Sequence, residues 1–426
     1  MKTAFVLSGG GSKGAYEIGF LKAMMELNIQ PDIVTGTSIG ALNGCLIAQH
    51  DEHIAIQLWE NMTMDQIIKD GIQFDFSLES LISQSNLVIP FFKSYINYKG
   101  ANITPMISLI HRLSSEEKLM KSSIDFGLVT VEYPSLTPIE ITKNEIPKGQ
   151  LADYLIASAS CFPAFPIHHF NNHGYIDGGY YDNLPIELAF KLGAKKIIAV
   201  EMTPKKFTHE HYTNRPNIKY ISPLNDLGNF LDFDEETLKK RTTLGYLDTM
   251  KAFNRYIGYS YTFHPITTTD TTNKFYLNIL NYETKLNKQF IKSKIKLFDS
   301  LPLTHLLLNK TNKSTLSIED YSIIALEMCA NLYKIPVDQI YNFNSLNQVI
   351  INSFDLSYDQ YQKDYVFNHS SINKILEFLT TLPSKELVYY IYNKIKNNKI
   401  FDSTWLITNF STECIIAMYI YHLKHL

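Results

Sequence analysis

Two glycine-rich motifs in the first 44 residues contain groups that could carry out acyl transfer. The first, residues 8–14, reads Ser-Gly-Gly-Gly-Ser-Lys-Gly and can turn backbone N–H groups toward a negatively charged oxygen. The second, residues 36–40, reads Gly-Thr-Ser-Ile-Gly and can present the hydroxyl of Ser38 to a carbonyl carbon. A nucleophile and an oxyanion-stabilising loop are two of the three parts that such a site needs.

The third part is a base, and the candidate is Asp177 in the sequence Asp177-Gly178-Gly179. A glycine turn has no side chains to keep the carboxylate away from a serine. An ordinary aspartate is a weak base at neutral pH, so we expect either that partial burial raises its pKa or that the geometry of the site compensates. The alternative is a plain Asp-Gly hairpin turn. Asn183, shortly downstream, is predicted to cap a helix and so brace this loop.

The elements around these motifs predict where they lie. Ala4–Leu7 and Ile33–Thr35 resemble buried strands, each followed by a helix that starts near Ala15 and Ile39 respectively. This alternation with short turns is typical of a parallel α/β sheet. Such sheets place their functional residues at the carboxyl ends of the strands. The glycine cluster, Gly9–Gly11, and Ser38 should therefore be neighbours. We predict an α/β fold with three layers and a central, mostly parallel sheet.

The pattern of predicted strands and helices divides the whole chain into two parts. We predict a domain of residues 1–265, which includes a helical insertion at 51–120, and a mostly helical region of residues 270–426. Further strands are predicted at 124–131, 139–141, 175–176 and 196–200. Further helices are predicted at 150–159, 184–192, 237–253, 318–332, 337–351 and 385–396.

Two other folds could use the same motifs. Gly9, Gly11 and Gly14 satisfy the dinucleotide fingerprint, but the acidic residue Asp32 begins the second strand, whereas the fingerprint acid ends it. The α/β-hydrolase fold also presents a serine at a Gly-x-Ser-x-Gly turn, but there several strands precede the serine and a histidine follows the acid. Among 13 histidines, none lies in a recognisable motif. His168, His169 and His173 instead indicate a polar hairpin.

Composition excludes other classes. Lys+Arg 39 against Asp+Glu 42 gives a net charge of −3, so nucleic acid is not expected as a partner. The four cysteines are far apart and match neither a metal site nor a disulfide framework; buried free thiols are expected. No signal peptide or transmembrane segment is recognised, which favours a cytoplasmic protein with at most peripheral membrane contact.

Three motifs together resemble the patatin-like phospholipases. They are Gly-Gly-Gly-x-Lys-Gly-Ala-Tyr from residue 9, Gly-Thr-Ser-x-Gly-Ala-x-Asn from residue 36 and Asp-Gly-Gly-x-x-x-Asn-x-Pro from residue 177. The segment Ala-Ser-Ala-Ser-Cys-Phe-Pro-Ala-Phe-Pro at 157–166 is also similar to one that the family carries before its aspartate. The resemblance covers about residues 1–205, and segment 227–251 is similar to one found after the core in bacterial members.

The resemblance implies a lipid acyl hydrolase that acts on phospholipids or lysophospholipids without a metal or other cofactor. It implies a catalytic pair, Ser38 and Asp177, and an oxyanion hole made by the backbone of Gly9, Gly10 and Gly11. Supporting positions are Lys13, Gly14, Gly36, Gly40, Gly178, Gly179 and Asn183. Lys13 stands where many members have arginine, which removes a planar, two-pronged donor for phosphate.

Alternatives remain within this interpretation. A carboxylesterase or thioesterase that acts on a water-soluble acyl donor would need the same residues, and a catalytically silent scaffold with a partner-binding C-terminal region belongs to a different class. The apolar segment 86–96 suggests a lid or a lipid-facing rim, against the alternative that it packs on the core.

Overall fold

The structure is a computed structural model that describes residues 1–69, 101–203, 215–267, 269–292, 302–311, 313–364, 379–397 and 404–425. The chain divides into two compact units, Met1–Asn254 and Arg255–Leu426. This division lies slightly before the sequence-predicted boundary at 265–270, and the extent of the acyl hydrolase domain stays a prediction.

In the described part of Met1–Asn254, eight strands form one mixed sheet. They are β1 Thr3–Leu7, β2 Ile33–Thr37, β3 Asp125–Tyr133, β4 Pro138–Thr142, β5 His168–Phe170, β6 His173–Asp177, β7 Lys196–Val200 and β8 Ile218–Ile221. Their order is β5-β6-β3-β2-β1-β7-β8, and β4 also pairs with β3. The β3-β2-β1-β7-β8 ladders are parallel, whereas β4, β5 and β6 add antiparallel pairs at one side. The mostly parallel sheet predicted from the sequence is confirmed.

The same unit contains eight described α-helices. They are α1 Gly14–Glu26, α2 Ile39–Ala48, α3 Glu52–Glu60, α4 Thr104–Leu113, α5 Glu116–Lys121, α6 Leu151–Ser158, α7 Ile186–Lys191 and α8 Glu235–Ala252. Helices α3 and α4 fall within the predicted helical insertion 51–120, and α5 ends one residue beyond it. Residues 70–100 of that insertion, including the apolar segment 86–96, lie outside the described residues.

Helices cover both faces of the sheet because the central strands are apolar on both faces. Along β1, Ala4 and Val6 belong to a cluster that includes Ile186 and Ala189 of α7. The alternate residue Phe5 packs edge-to-face on Phe20 of α1, with ring centroids 5.0 Å apart. Helix, sheet and helix therefore form three layers, as the sequence pattern predicts.

Helix α8 crosses α1 with direct backbone contact. A Cβ atom at Gly19 of α1 would lie 2.0 Å from the carbonyl oxygen of Thr242, and one at Gly245 of α8 would lie 1.9 Å from that of Tyr16. Neither position has room for a side chain. The Tyr16 hydroxyl also donates to Asp248 of α8 at 2.8 Å, which fixes the register of the two helices.

The unit Arg255–Leu426 is mostly helical in its described part. Its helices are α9 Asp270–Lys292, α10 Pro302–Leu308, α11 Ile318–Leu332, α12 Phe343–Asp364, α13 Ser384–Lys396, α14 Thr404–Asn409 and α15 Ser411–Lys424. A short parallel pair joins β9 Thr262–Phe263 to β10 Ile340–Tyr341. The predicted helix over 337–351 is therefore wrong in its first part, because residues 340–341 are taken by this strand pairing. Among all described residues, no helix is both long and apolar enough to cross a membrane.

Candidate active site

Ser38 occupies a strained turn between β2 and α2. Its backbone has φ 56° and ψ −126°, a positive φ that is uncommon for a residue other than glycine. A Cβ at Gly36 would lie 2.3 Å from the carbonyl oxygen of Gly40, and one at Gly40 would lie 2.4 Å from that of Leu7. Both flanking positions must be glycine, because neighbouring backbone comes too close to leave room for a side chain. The geometry is that of a nucleophile turn, with the half-buried Ser38 at the N-terminus of α2.

A buried serine that the sequence analysis did not single out holds this turn. The Ser38 amide donates to the hydroxyl oxygen of Ser158 at 2.9 Å, and the Ser158 hydroxyl donates to the carbonyl oxygen of Val129 at 2.7 Å. Ser158 ends α6 and is fully buried. It thereby ties the Ser38 turn to β3.

Asp177 ends β6 and faces the Ser38 hydroxyl. Its carboxylate accepts a hydrogen bond from the Gly179 amide at 2.8 Å. Only 6% of Asp177 is exposed. Burial raises its pKa to about 6, and the nearby Ser38 side chain and the Gly179 amide partly oppose that rise. The carboxylate is thus ionised at neutral pH and still has a higher proton affinity than an ordinary aspartate.

The nearby histidines are engaged elsewhere. His168 lies on β5 and contacts Asp153 at 3.0 Å, while His173 begins β6 and contacts Glu132 at 2.5 Å. Both belong to the β5–β6 hairpin that the sequence predicted. Asp177 therefore lies beside Ser38, with no imidazole from this hairpin between them.

The glycine cluster lies beside Ser38 because the ends of β1 and β2 are level. Leu7 of β1 pairs with Gly36 of β2, and a Cβ at Gly9 would lie 3.1 Å from that of Ser38. The Gly9 amide donates to the carbonyl oxygen of Asn183 at 3.2 Å. In the part of the chain that the structure describes, the amides of Gly10 and Gly11 have no acceptor. Of the three predicted oxyanion-hole glycines, these two therefore have amides available.

Asn183 joins the two halves of the site. Its side-chain amide donates to the carbonyl oxygen of Gly9 at 3.3 Å, and its Oδ1 packs close to both Gly9 and Gly179. The prediction that it caps a helix is wrong, because α7 begins at Ile186 with Pro185 in the cap position. The Leu184 amide instead donates to Asp182 at 3.0 Å, which prolongs the loop and directs Asn183 to the glycine cluster.

The remaining supporting glycines permit close packing. A Cβ at Gly178 would lie 2.2 Å from the carbonyl oxygen of Val129, and one at Gly14 would lie 2.6 Å from the side chain of Ile39. Lys13 is half-buried, and burial lowers its pKa, with Arg241 lowering it further and Asp226 opposing.

Ser38 and Asp177 open into a cavity of about 390 Å³ within the first unit. Most of its lining is aliphatic or aromatic. Those apolar residues are Ile39, Leu42, Leu46, Leu58, Trp59, Met62, Ile67, Met106, Leu109, Ile110, Leu113, Leu155, Ala159, Phe165, Phe230, Leu231 and Phe233. Cys45 and Cys161 also line it as free thiols. Such a cavity suits a hydrocarbon chain whose carbonyl end lies at Ser38.

A buried polar network borders the same cavity. Asn43 donates to Glu17 at 2.8 Å and accepts the indole N–H of Trp59 at 2.9 Å. Burial raises the pKa of Glu17 to about 8, partly opposed by the hydrogen bond from Asn43, so its carboxyl group is mostly protonated at neutral pH. Helices α1, α2 and α3 are joined at this point.

The fold and the site define an α/β protein with the groups of a serine acyl hydrolase: a serine at a strand-to-helix turn, a carboxylate beside it and available amides. The comparisons with known proteins agree. The family model for patatin-like phospholipase matches residues 5–190, and these residues form a domain of that family.

Curated relatives match about half of this chain and a small part of their own length. Patatin-like phospholipase domain-containing protein 7 of Rattus norvegicus is 30% identical over 206 residues, which are 47% of this chain and 13% of that protein. Lysophospholipase NTE1 of Pyricularia oryzae is 29% identical over 204 residues, 46% of this chain and 12% of its own length. The chain thus matches about an eighth of these relatives. The crystal structure of VipD from Legionella pneumophila is similar over 99% of this chain and 90% of its own, with 15% identity and a TM-score of 0.39.

Proposed function

We propose that this chain hydrolyses fatty-acyl ester bonds of phospholipids or lysophospholipids through a Ser38–Asp177 pair. The observation that carries the proposal is that Ser38 lies beside the buried carboxylate of Asp177 at the wall of an apolar cavity. The family match supports a lipid ester as the substrate class, and one relative is named a lysophospholipase.

Acylation begins with the substrate carbonyl near Ser38 Oγ. Asp177 accepts the hydroxyl proton while Oγ forms a bond to the carbonyl carbon. The negative charge that develops on the carbonyl oxygen is stabilised by the amides of Gly10 and Gly11 and by the N-terminus of α2. The tetrahedral intermediate then collapses, the ester C–O bond breaks, and Asp177 returns its proton to the leaving alcohol. The product that stays is an acyl-Ser38 ester.

Deacylation repeats these steps with water as the nucleophile. Asp177 accepts a proton from water as the hydroxide oxygen attacks the acyl carbon, and the same two amides hold the oxyanion. Collapse releases the fatty acid and returns the proton to Ser38 Oγ. A carboxylate with a pKa of about 6 suits both roles, because it is free at neutral pH and still accepts a proton in the transition state.

The lining of the cavity indicates the part of the substrate that it binds. Aliphatic and aromatic side chains favour an acyl chain, because its burial removes apolar surface from water. A long-chain acyl ester is therefore favoured over a short one.

A substrate panel tests the proposal. Purified protein is incubated with phosphatidylcholine, lysophosphatidylcholine, an acyl-coenzyme A and p-nitrophenyl acetate, and the products are identified by mass spectrometry. We expect fatty acid and a glycerophospholipid product at rates well above those of the acetate ester. Hydrolysis confined to the thioester or the acetate would favour the alternative enzyme class instead.

Contact with a lipid surface is part of this proposal. Three aromatic side chains are exposed around the site: Tyr180 and Tyr181, each 56% exposed, and Phe230, 39% exposed. Tyr180 and Phe230 line the cavity, and Tyr181 follows in the chain. Tyrosine suits a membrane interface because its ring is apolar and its hydroxyl stays wet. The cytoplasmic location predicted from the sequence stays a prediction.

Tyr181→Ser should weaken binding to phosphatidylcholine vesicles about fivefold. The variant lacks the half-exposed ring whose apolar surface the membrane would bury, which is worth about 1 kcal/mol of binding free energy. Co-sedimentation with vesicles measures the effect. Met120→Ser is the matched control, because Met120 is 55% exposed but, unlike Tyr181, is not adjacent in the chain to a residue that lines the cavity. Equal binding of the two variants would contradict lipid contact at Tyr181.

A further inference from the structure

Arg241 is a buried cation that the catalytic steps above do not use. It lies on α8 and is 1% exposed, yet each of its hydrogen-bond acceptors is an uncharged oxygen. Nε donates to the carbonyl oxygen of Leu227 at 2.7 Å, and Nη2 donates to that of Asn229 at 2.7 Å. Nη1 donates to the carbonyl oxygen of Asp232 and to Ser12 Oγ, both at 2.8 Å. Burying a guanidinium is costly, so a position that keeps one calls for a reason.

These four bonds connect two loops that are far apart in sequence. Three acceptors lie in residues 227–233, which we call the Phe230 loop, and the fourth is Ser12, immediately after the glycine cluster. The loops also bond directly: the Ser12 amide donates to the carbonyl oxygen of Phe230 at 2.7 Å, and the Ser12 hydroxyl is 3.2 Å from that of Asn229. Arg241 thus supplies donors to carbonyls of irregular backbone that no strand or helix would satisfy.

The Phe230 loop is packed against the amides that matter for the proposed chemistry. Gly11 has φ 57°, and a Cβ there would lie 2.4 Å from the carbonyl oxygen of Phe230 and 3.2 Å from its ring. Phe230, Leu231 and Phe233 line the cavity next to Gly10 and Gly11. Any shift of the Phe230 loop therefore moves both the wall of the acyl cavity and the backbone that carries the two available amides.

We propose that Arg241 is a positioning residue that holds the amides of Gly10 and Gly11 in register with Ser38 by fixing the Phe230 loop and Ser12. This inference rests on the proposed function, since it assigns Arg241 to the oxyanion hole of that same site. A planar guanidinium can satisfy four oxygens at fixed angles, whereas a lysine ammonium is a point donor on a flexible stem. The positive charge alone is therefore insufficient.

The test compares Arg241→Lys, Ser12→Ala and the wild type for kcat and KM on a long-chain p-nitrophenyl ester. We expect Arg241→Lys to lower kcat about 10- to 100-fold, because a misplaced oxyanion donor loses transition-state stabilisation. KM should change less than threefold, and the inflection of the pH–rate profile near pH 6 should stay, since Asp177 is untouched. Ser12→Ala, which removes one of the four acceptors, should lower kcat about 3- to 10-fold in the same manner. Arg112→Lys on the exposed face of α4 is the matched control and should match the wild type.

Chemical rescue separates positioning from general stability. Ethylguanidinium added to Arg241→Ala should restore kcat at least threefold, whereas ethylammonium at the same concentration should not. If Arg241→Lys folds and its kcat equals that of the wild type, the inference is overturned. If the arginine variants do not fold, a wild-type kcat in Ser12→Ala overturns it. If the wild type hydrolyses the ester through Ser38 and both variants keep the wild-type kcat, the proposed function stands and only the role of Arg241 is rejected. A wild type without such hydrolysis removes both.

Discussion

Ser38→Ala should abolish covalent labelling by a fluorophosphonate probe and lower ester hydrolysis at least about 10⁴-fold. The variant removes the attacking oxygen, and the free thiols of Cys45 and Cys161 that line the cavity are not held at this strained strand-to-helix turn. The turn itself should survive, because the Ser38 amide, which donates to Ser158, is still present. Gel fluorescence with the probe and titration of released fatty acid measure the two effects.

The matched control is Ser135→Ala, which removes an exposed hydroxyl that donates to Glu132 at 2.8 Å. It should label and hydrolyse like the wild type. Full labelling of Ser38→Ala would place the reactive nucleophile elsewhere. No labelling of the wild type, with and without lipid vesicles, would favour the catalytically silent scaffold.

The position of Ser38 beside the glycine cluster could be predicted because it depends on short stretches of chain. A strand, a glycine turn and a helix follow one another twice within 48 residues, and parallel strands must bring those turns to the same edge of the sheet. The register of β1 and β2, with Leu7 opposite Gly36, confirms this neighbourhood. The roles of Ser38 and Asp177 in catalysis stay predictions that the variants test.

The supports of the site could not be predicted because they join residues distant in sequence. Arg241 bonds Ser12 across 229 positions, and Asn183 bonds Gly9 across 174. Neither residue type at either position signals its partner. The pattern Asn-x-Pro indicated a helix cap, and only the folded backbone shows that Asn183 turns back to the glycine cluster. Arg241 stands in the polar segment Lys-Lys-Arg-Thr-Thr at 239–243, a pattern that indicates a side chain exposed to solvent. In the structure the side chain is buried.

Asp177→Asn should abolish hydrolysis and, at the same time, stabilise the folded protein above pH 6. The carboxamide cannot accept the Ser38 proton, so we expect a loss of about 10⁴-fold in kcat. Stability changes in the opposite direction because burial raises the folded-state pKa of Asp177 from 3.8 to about 6. The folded state therefore binds a proton more tightly than the unfolded chain. The stability due to this group is complete below pH 3.8 and is lost as the pH rises through 6.

Above pH 6 the ionised, buried carboxylate lowers the free energy of unfolding by about 3 kcal/mol, because its folded-state pKa of about 6 lies above the ordinary value of 3.8. Asparagine has no charge to bury and keeps an oxygen for the Gly179 amide, so Asp177→Asn should regain most of that free energy at pH 8. The gain should shrink toward zero between pH 6 and pH 4, where the wild-type carboxyl group becomes protonated. Urea unfolding at pH 4, 6 and 8 measures it, with Asp65→Asn, at an exposed aspartate, as the matched control. A variant that is inactive but equally stable at pH 8 would mean that Asp177 is solvated in the folded protein, and the proton affinity that makes it a base would have to come from the bound substrate.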